Sequence, residues 1–87
     1  MALHFPNSSR SFDATRRSVR FWGHDGALEI SFFIEEDALH RIAPATMRSE
    51  AAALKVFDGN RDRILKAAKG AYARRRQGSY CLVASDF

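Results

Sequence analysis

The sequence predicts one small α+β domain, and three observations carry that expectation. An Asp-Gly pair sits between two runs that alternate apolar and polar residues, helical apolar spacing runs through the middle of the chain, and a short alternating run closes it. At 87 residues there is material for a single core, because a chain of this size buries only about 60 to 65% of the surface it exposes when unfolded. Residues 1–87 therefore read as one domain. A 46% hydrophobic and 28% charged composition lies in the range of folded globular chains and argues against a disordered or fibrous one.

The first element is a short strand through Leu3 and Phe5, ended by the turn signal Pro6-Asn7-Ser8-Ser9, where proline presets φ and the small polar side chains bond to nearby backbone. Next comes the hairpin, with strands at about 17–24 and 27–34. Taking Asp25-Gly26 as a type I′ loop pairs His24 with Ala27, Trp22 with Glu29, Arg20 with Ser31 and Ser18 with Phe33 on a mostly polar face. Gly23 with Leu28, Phe21 with Ile30 and Val19 with Phe32 then form the core face, because side chains alternate across a strand.

Glu35-Glu36-Asp37 opens a short helix at about 35–42, its acids placed at the positive end of the helix dipole and its end set by Pro44. From about 46 to 76 the spacing is helical, with Met47, Glu50, Leu54, Phe57, Ile64, Leu65, Ala68, Ala71 and Tyr72 along one stripe. Asp58-Gly59-Asn60 interrupts it with weak helix formers, so one bent helix and two helices are both open. Arg61 falls within the stripe and is read as a local partner of Asp58, or as a residue facing a partner or the sheet. Gly78 reads as the terminator. A last strand follows at about 79–84, giving an antiparallel sheet built on the hairpin and packed against the helices.

No apolar run approaches the roughly 20 residues that span a bilayer, and the first ten residues lack a charged start followed by an apolar stretch. One cysteine, Cys81, forms no internal disulfide, and small secreted domains usually carry several. A cytoplasmic protein without membrane contact is expected. The net charge is +4, unevenly placed: residues 1–44 hold five Lys/Arg against six Asp/Glu, and residues 45–87 hold nine against four.

Phe5-Pro6-Asn7, Ser11-Phe12-Asp13-Ala14-Thr15, Val19-Arg20-Phe21-Trp22-Gly23-His24-Asp25-Gly26 and Ala84-Ser85-Asp86-Phe87 together resemble a bacterial family of short proteins, domain-of-unknown-function family 1488, over essentially the whole chain. The resemblance implies a compact bacterial α+β domain. It rests on turns and core positions rather than chemistry, and supplies no catalytic residues.

The residues themselves carry no catalytic motif, so the chain is not read as an enzyme, and no cofactor or metal is expected. His4, His24 and His40 lack metal-ligand spacing; Glu36 and His40 share a helix face, which reads as a solvated pair rather than a metal site. Cys81 reads as packed and inert, as free cysteines usually are. Arg48, Lys55, Arg63 and Lys66 form a basic stripe opposite the apolar one, and Arg74-Arg75-Arg76 a basic cluster. Both suit phosphate contact, and both suit a solvated helix face and its C-terminal dipole.

The most informative surface is the polar hairpin face, where Arg20, Trp22 and His24 alternate beside Phe33. Arginine and tryptophan are enriched at interface hot spots. Two readings of that face stand: it is open and binds, or the N-terminal segment folds over it through Leu3, Phe5 or Phe12. The sequence favours a protein-binding or adaptor domain, with an unknown protein or a second copy as partner. The alternative is a nucleic-acid-binding accessory protein using the basic helix face for phosphates and Trp22 for stacking.

Overall fold

The computed structural model describes residues 3–6, 9–44, 49–75 and 79–87. These residues form five strands and three α-helices in an α+β arrangement, four strands preceding the helices and one following them: β1 Leu3–His4, β2 Arg10–Asp13, β3 Ser18–Asp25, β4 Leu28–Glu35, α1 Glu36–Ile42, α2 Glu50–Gly59, α3 Arg61–Arg74 and β5 Ser79–Leu82, followed by a 3-10 turn at Ala84–Asp86. The strands make one sheet in the order β1-β3-β4-β5, with β2 beside β1 on the same edge of β3.

The hairpin forms, but its loop is Gly26-Ala27 and not Asp25-Gly26. Asp25 pairs with Leu28, Phe21 with Phe32 and Arg20 with Phe33. Gly26 has φ +62 and Ala27 is not left-handed, the pattern of a type II′ turn with glycine first rather than type I′ with glycine second. The loop moves by one residue, so each partner moves by two, and a two-residue shift leaves the faces intact. Val19, Phe21, Gly23, Ile30, Phe32 and Ile34 face the helices and are buried.

Two further corrections concern the sheet. It is mixed rather than antiparallel, because β5 runs parallel to β4; the three intervening helices form the crossover that a parallel pair needs. The edge strand is also in two pieces. β2 pairs Arg10 with Phe21 through Asp13 with Ser18, β1 pairs Leu3 with Asp25 and His4 with His24, and among the described residues neither strand pairs with Trp22 or Gly23. Phe5, just after β1, lies on the core, 5.9 Å from the Phe21 ring and 5.7 Å from Phe32. Gly23 makes room for it, since a Cβ there would lie 2.8 Å from Phe5 and 3.0 Å from Leu3.

The middle of the chain is two helices. Ser49 caps α2 by accepting the Ala52 N–H at 3.1 Å, the usual role of serine at a helix start. Asn60 ends it, its N–H and side-chain amide both donating to the Val56 carbonyl, while its own carbonyl accepts from Ile64 to begin α3. The buried positions are Ala53, Val56 and Phe57 on α2 and Ile64, Ala68 and Tyr72 on α3. Glu50, read into the apolar stripe, is exposed. Thr46, Met47 and Gly78, as well as Asn7 and Ser8 of the first turn, lie outside the described residues.

All three helices pack on one face of the sheet. The core is an aromatic ladder across the strands, Phe21 to Phe32 at 5.3 Å and Phe32 to Tyr80 at 5.2 Å, both stacked, with Phe57 of α2 5.0 Å from Phe21. Asp58 does not pair with Arg61. Its carboxylate accepts two bonds from Arg10 of β2 at 2.8 and 2.9 Å, which hold it below the usual carboxylate range. Arg61 instead lies half-buried over the Phe57 ring at 5.4 Å.

Candidate functional site

The face of the sheet opposite the helices is built by alternation alone. Once Phe21 and Phe32 point inward, Arg20, Trp22 and His24 of β3 and Ser31, Phe33 and Glu35 of β4 must point outward. Leu3, Phe5 and Phe12 do not cover them, because all three pack against the helix-side core; among the described phenylalanines only Phe33 lies on the outer face. Trp22, Phe33 and Arg20 are each half-exposed.

These side chains form a row. The Arg20 guanidinium lies 4.8 Å from the centroid of Trp22 and 5.9 Å from that of Phe33, and it donates to Ser31 Oγ at 3.2 Å. Arg16 also lies over Phe33, 4.3 Å from the ring centroid. Cations over aromatic faces at such distances attract each other by about 0.5 to 2 kcal/mol. His24 stands one pair beyond, opposite Glu29. All four surface residues expected from the sequence therefore share one face.

Arg16 is the member the sequence did not reveal. It sits in the β2–β3 turn, where Asp13 Oδ1 accepts the Arg16 N–H at 3.2 Å and Arg17 takes a left-handed φ of +48. Arg17 then reaches the buried Glu36 at 2.8 Å, so the pair thought to join Glu36 to His40 is replaced by an ion pair. Among the described residues no group of three metal-ligating side chains comes together.

Cys81 departs from expectation. It follows Phe33 in register on β5 and is exposed rather than packed. Partial burial, the Glu35 carboxylate and an S–H···Oε2 contact of 3.8 Å push its thiol above the ordinary cysteine range, which keeps it protonated at neutral pH and weakly nucleophilic. Alkylation of the intact protein should therefore be slower at pH 7.5 than that of a free cysteine peptide, with a rate midpoint at higher pH. Glu35→Gln should move that midpoint down, and a midpoint in the wild type at or below the peptide's would refute the assignment.

The basic residues divide among elements. Lys55 is exposed on α2, while Arg63, Lys66 and Arg74 are exposed on α3 and Arg75 follows it; the break at Asn60 prevents one continuous stripe. Arg48 and Arg76 lie outside the described residues. The whole helical layer lies on the side of the sheet away from Trp22, so base stacking on Trp22 and phosphate contact on α3 do not share one surface. No helix among the described residues is long and apolar enough to cross a membrane.

Fold and surface together define a small α+β domain with helices on one side of its sheet and, on the other, a cationic-aromatic face that no described helix covers. The chain belongs to the family described as Protein of unknown function (DUF1488), whose family model matches residues 3–83. The crystal structure of a protein of unknown function from that family in Shewanella loihica PV-4 has the same fold, with a TM-score of 0.81 at 18% identity over 92% of this chain and 90% of that one. No curated protein matches the chain.

Proposed function

We propose that the chain is a non-enzymatic binding domain of the bacterial cytoplasm, that its contact surface is the open sheet face, and that its partner is another protein, a second copy being the first to test. One observation carries this reading: Arg16, Phe33, Arg20 and Trp22 stack in a row on a face that no described helix covers. Such a row is already ordered, so docking on it costs less side-chain entropy than freezing free arginines would. Two-fold dimers are the commonest oligomers. The cytoplasmic placement is supported by the single cysteine, exposed as a thiol.

Light scattering over a wide concentration range should show the mass rising toward that of a dimer, while Trp22→Ala and Phe33→Ser stay monomeric with their fold intact. A mass that rises equally in both variants would place the contact elsewhere. A strict monomer, together with no adduct in native cells from a photo-reactive residue in place of Phe33, would sink the reading.

A second reading uses a different surface. Contact with nucleic acid through the basic face of α3 is favoured by the concentration of charge there. Five of the fourteen Lys/Arg and one of the ten acids lie in this helix, so α3 carries the whole net charge of +4 and the rest of the chain sums to zero.

A further inference from the structure

Arg63, Lys66, Gly70 and Arg74 follow one another at i, i+3, i+7 and i+11, which brings them to one face of α3. They line a hollow of about 570 Å³ whose opposite wall is Ser85, Asp86 and Phe87. Among the described residues none of the three cations is in an ion pair, whereas Arg10, Arg16 and Arg17 each are. Asp86 is the one acid lining the hollow, and its Oδ2 is engaged by the Val83 N–H at 2.7 Å. Arg63 leans toward the Phe87 ring, 5.9 Å from its centroid. A second hollow of about 270 Å³ shares Arg74 and Asp86 with the first and continues past Arg75 along β5, the last strand in the sheet order.

Gly70 has no positive φ to account for it, and glycine inside a helix costs about 1 kcal/mol relative to alanine. A Cβ there would find Arg74 Nη1 at 3.6 Å as its nearest neighbour, so a side chain at this position would grow among the cations. Its absence keeps the hollow open. A solvated helix face explains exposed cations but explains neither the concavity nor the glycine.

Resting on the second reading above, we propose that these two neighbouring hollows, which share Arg74 and Asp86, bind the phosphate backbone of a single-stranded nucleic acid. The ligand is extended, because Arg63 and Arg74 stand about 16 Å apart along the helix and the track continues to Arg75. It is single-stranded, because the Phe87 ring beside Arg63 offers a stacking face to an unpaired base, which a duplex keeps inside its own stack. The phosphates would lie along Arg63, Lys66, Arg74 and Arg75, with the Phe87 ring available to a base at one end.

The test is a fluorescence anisotropy titration of the full chain with a labelled single-stranded thymidine oligonucleotide. Four neutralised phosphates give a log–log salt slope of about −2.8, an affinity loss of about fiftyfold between roughly 50 and 200 mM salt. Lys66→Gln with Arg74→Gln should halve that slope to about −1.4. Gly70→Leu, which fills the hollow without changing charge, should weaken binding at every salt concentration while leaving the slope as it is. Arg41→Glu makes the same two-unit charge change on exposed α1, away from the hollow, and should leave the slope unchanged, and circular dichroism would confirm that each variant folds.

Binding insensitive to the α3 pair and to Gly70→Leu overturns the site and leaves the nucleic-acid reading standing. No binding of any oligonucleotide at low salt overturns both. A duplex bound as tightly as the single strand overturns the proposed occupant.

Discussion

Replacing Phe21 by alanine is expected to cost about 3 to 5 kcal/mol, the range for deleting a buried aromatic ring, out of a total stability of about 4 to 13 kcal/mol for a chain this long. Phe21 is wholly buried and its ring meets Phe5, Phe32 and Phe57, so one deletion opens a cavity bounded by Phe5, the next strand and α2. Neighbours held by a sheet and a helix relax only partly into such a space. The comparison that matters is Phe33→Ala, one residue from Phe32 but on the open face, which should cost less than about 1 kcal/mol because its ring remains half-exposed and touches arginines rather than core. Urea melts of the two variants decide the point. Equal losses would mean that the outer face is packed like the inner one, and the proposed binding surface would fall with it.

What could be read in advance follows the distance along the chain over which each feature is determined. The hairpin was legible because its strands are neighbours in sequence and their alternation states which residues share a face; that placed Arg20, Trp22, His24 and Phe33 together. Its register was not, because sliding Phe21 from Ile30 to Phe32 preserves both faces and alternation cannot distinguish the two. What separates them is whether Gly26 stands first or second in the loop, and the aromatic ladder Phe21-Phe32-Tyr80 that only the observed register lines up. The direction of β5 was hidden for a different reason. Four alternating residues have no sense of direction; that is set by a crossover of three helices. β2 was missed because Arg10-Ser11-Phe12-Asp13 holds one apolar residue and so shows no alternation, and the Asp58 that Arg10 bonds lies 48 positions away. Arg16 joined the candidate surface through a turn, and no local pattern announces where a turn residue will lay its side chain. One signal was available and overlooked: Ser49 ahead of Glu50 and an alanine run marks the start of α2.

Tyr80→Ala should be comparably severe in size and different in kind. The ring stacks on Phe32, meets Tyr72 edge-on at 6.0 Å, and its hydroxyl donates to the Arg75 carbonyl; with Leu82 it is one of two buried residues on a four-residue strand. Losing it should cost about 3 to 5 kcal/mol, whereas Tyr80→Phe, which keeps the ring and removes the hydroxyl that donates to Arg75, should cost about 0.5 to 1.5 kcal/mol. Among the described residues β5 pairs with β4 alone, so the loss should fall first on the strand itself: amide exchange should accelerate at residues 79–82 and at the end of α3 while β3 and β4 keep most of their protection. Uniform loss of protection would instead make β5 part of one cooperative unit with the hairpin. The distinction bears on function, because Arg75 and the second hollow are held by this strand and the Arg20-Trp22-Phe33 row is not. A Tyr80→Ala protein that loses oligonucleotide affinity but retains self-association would show two separable surfaces on one small sheet.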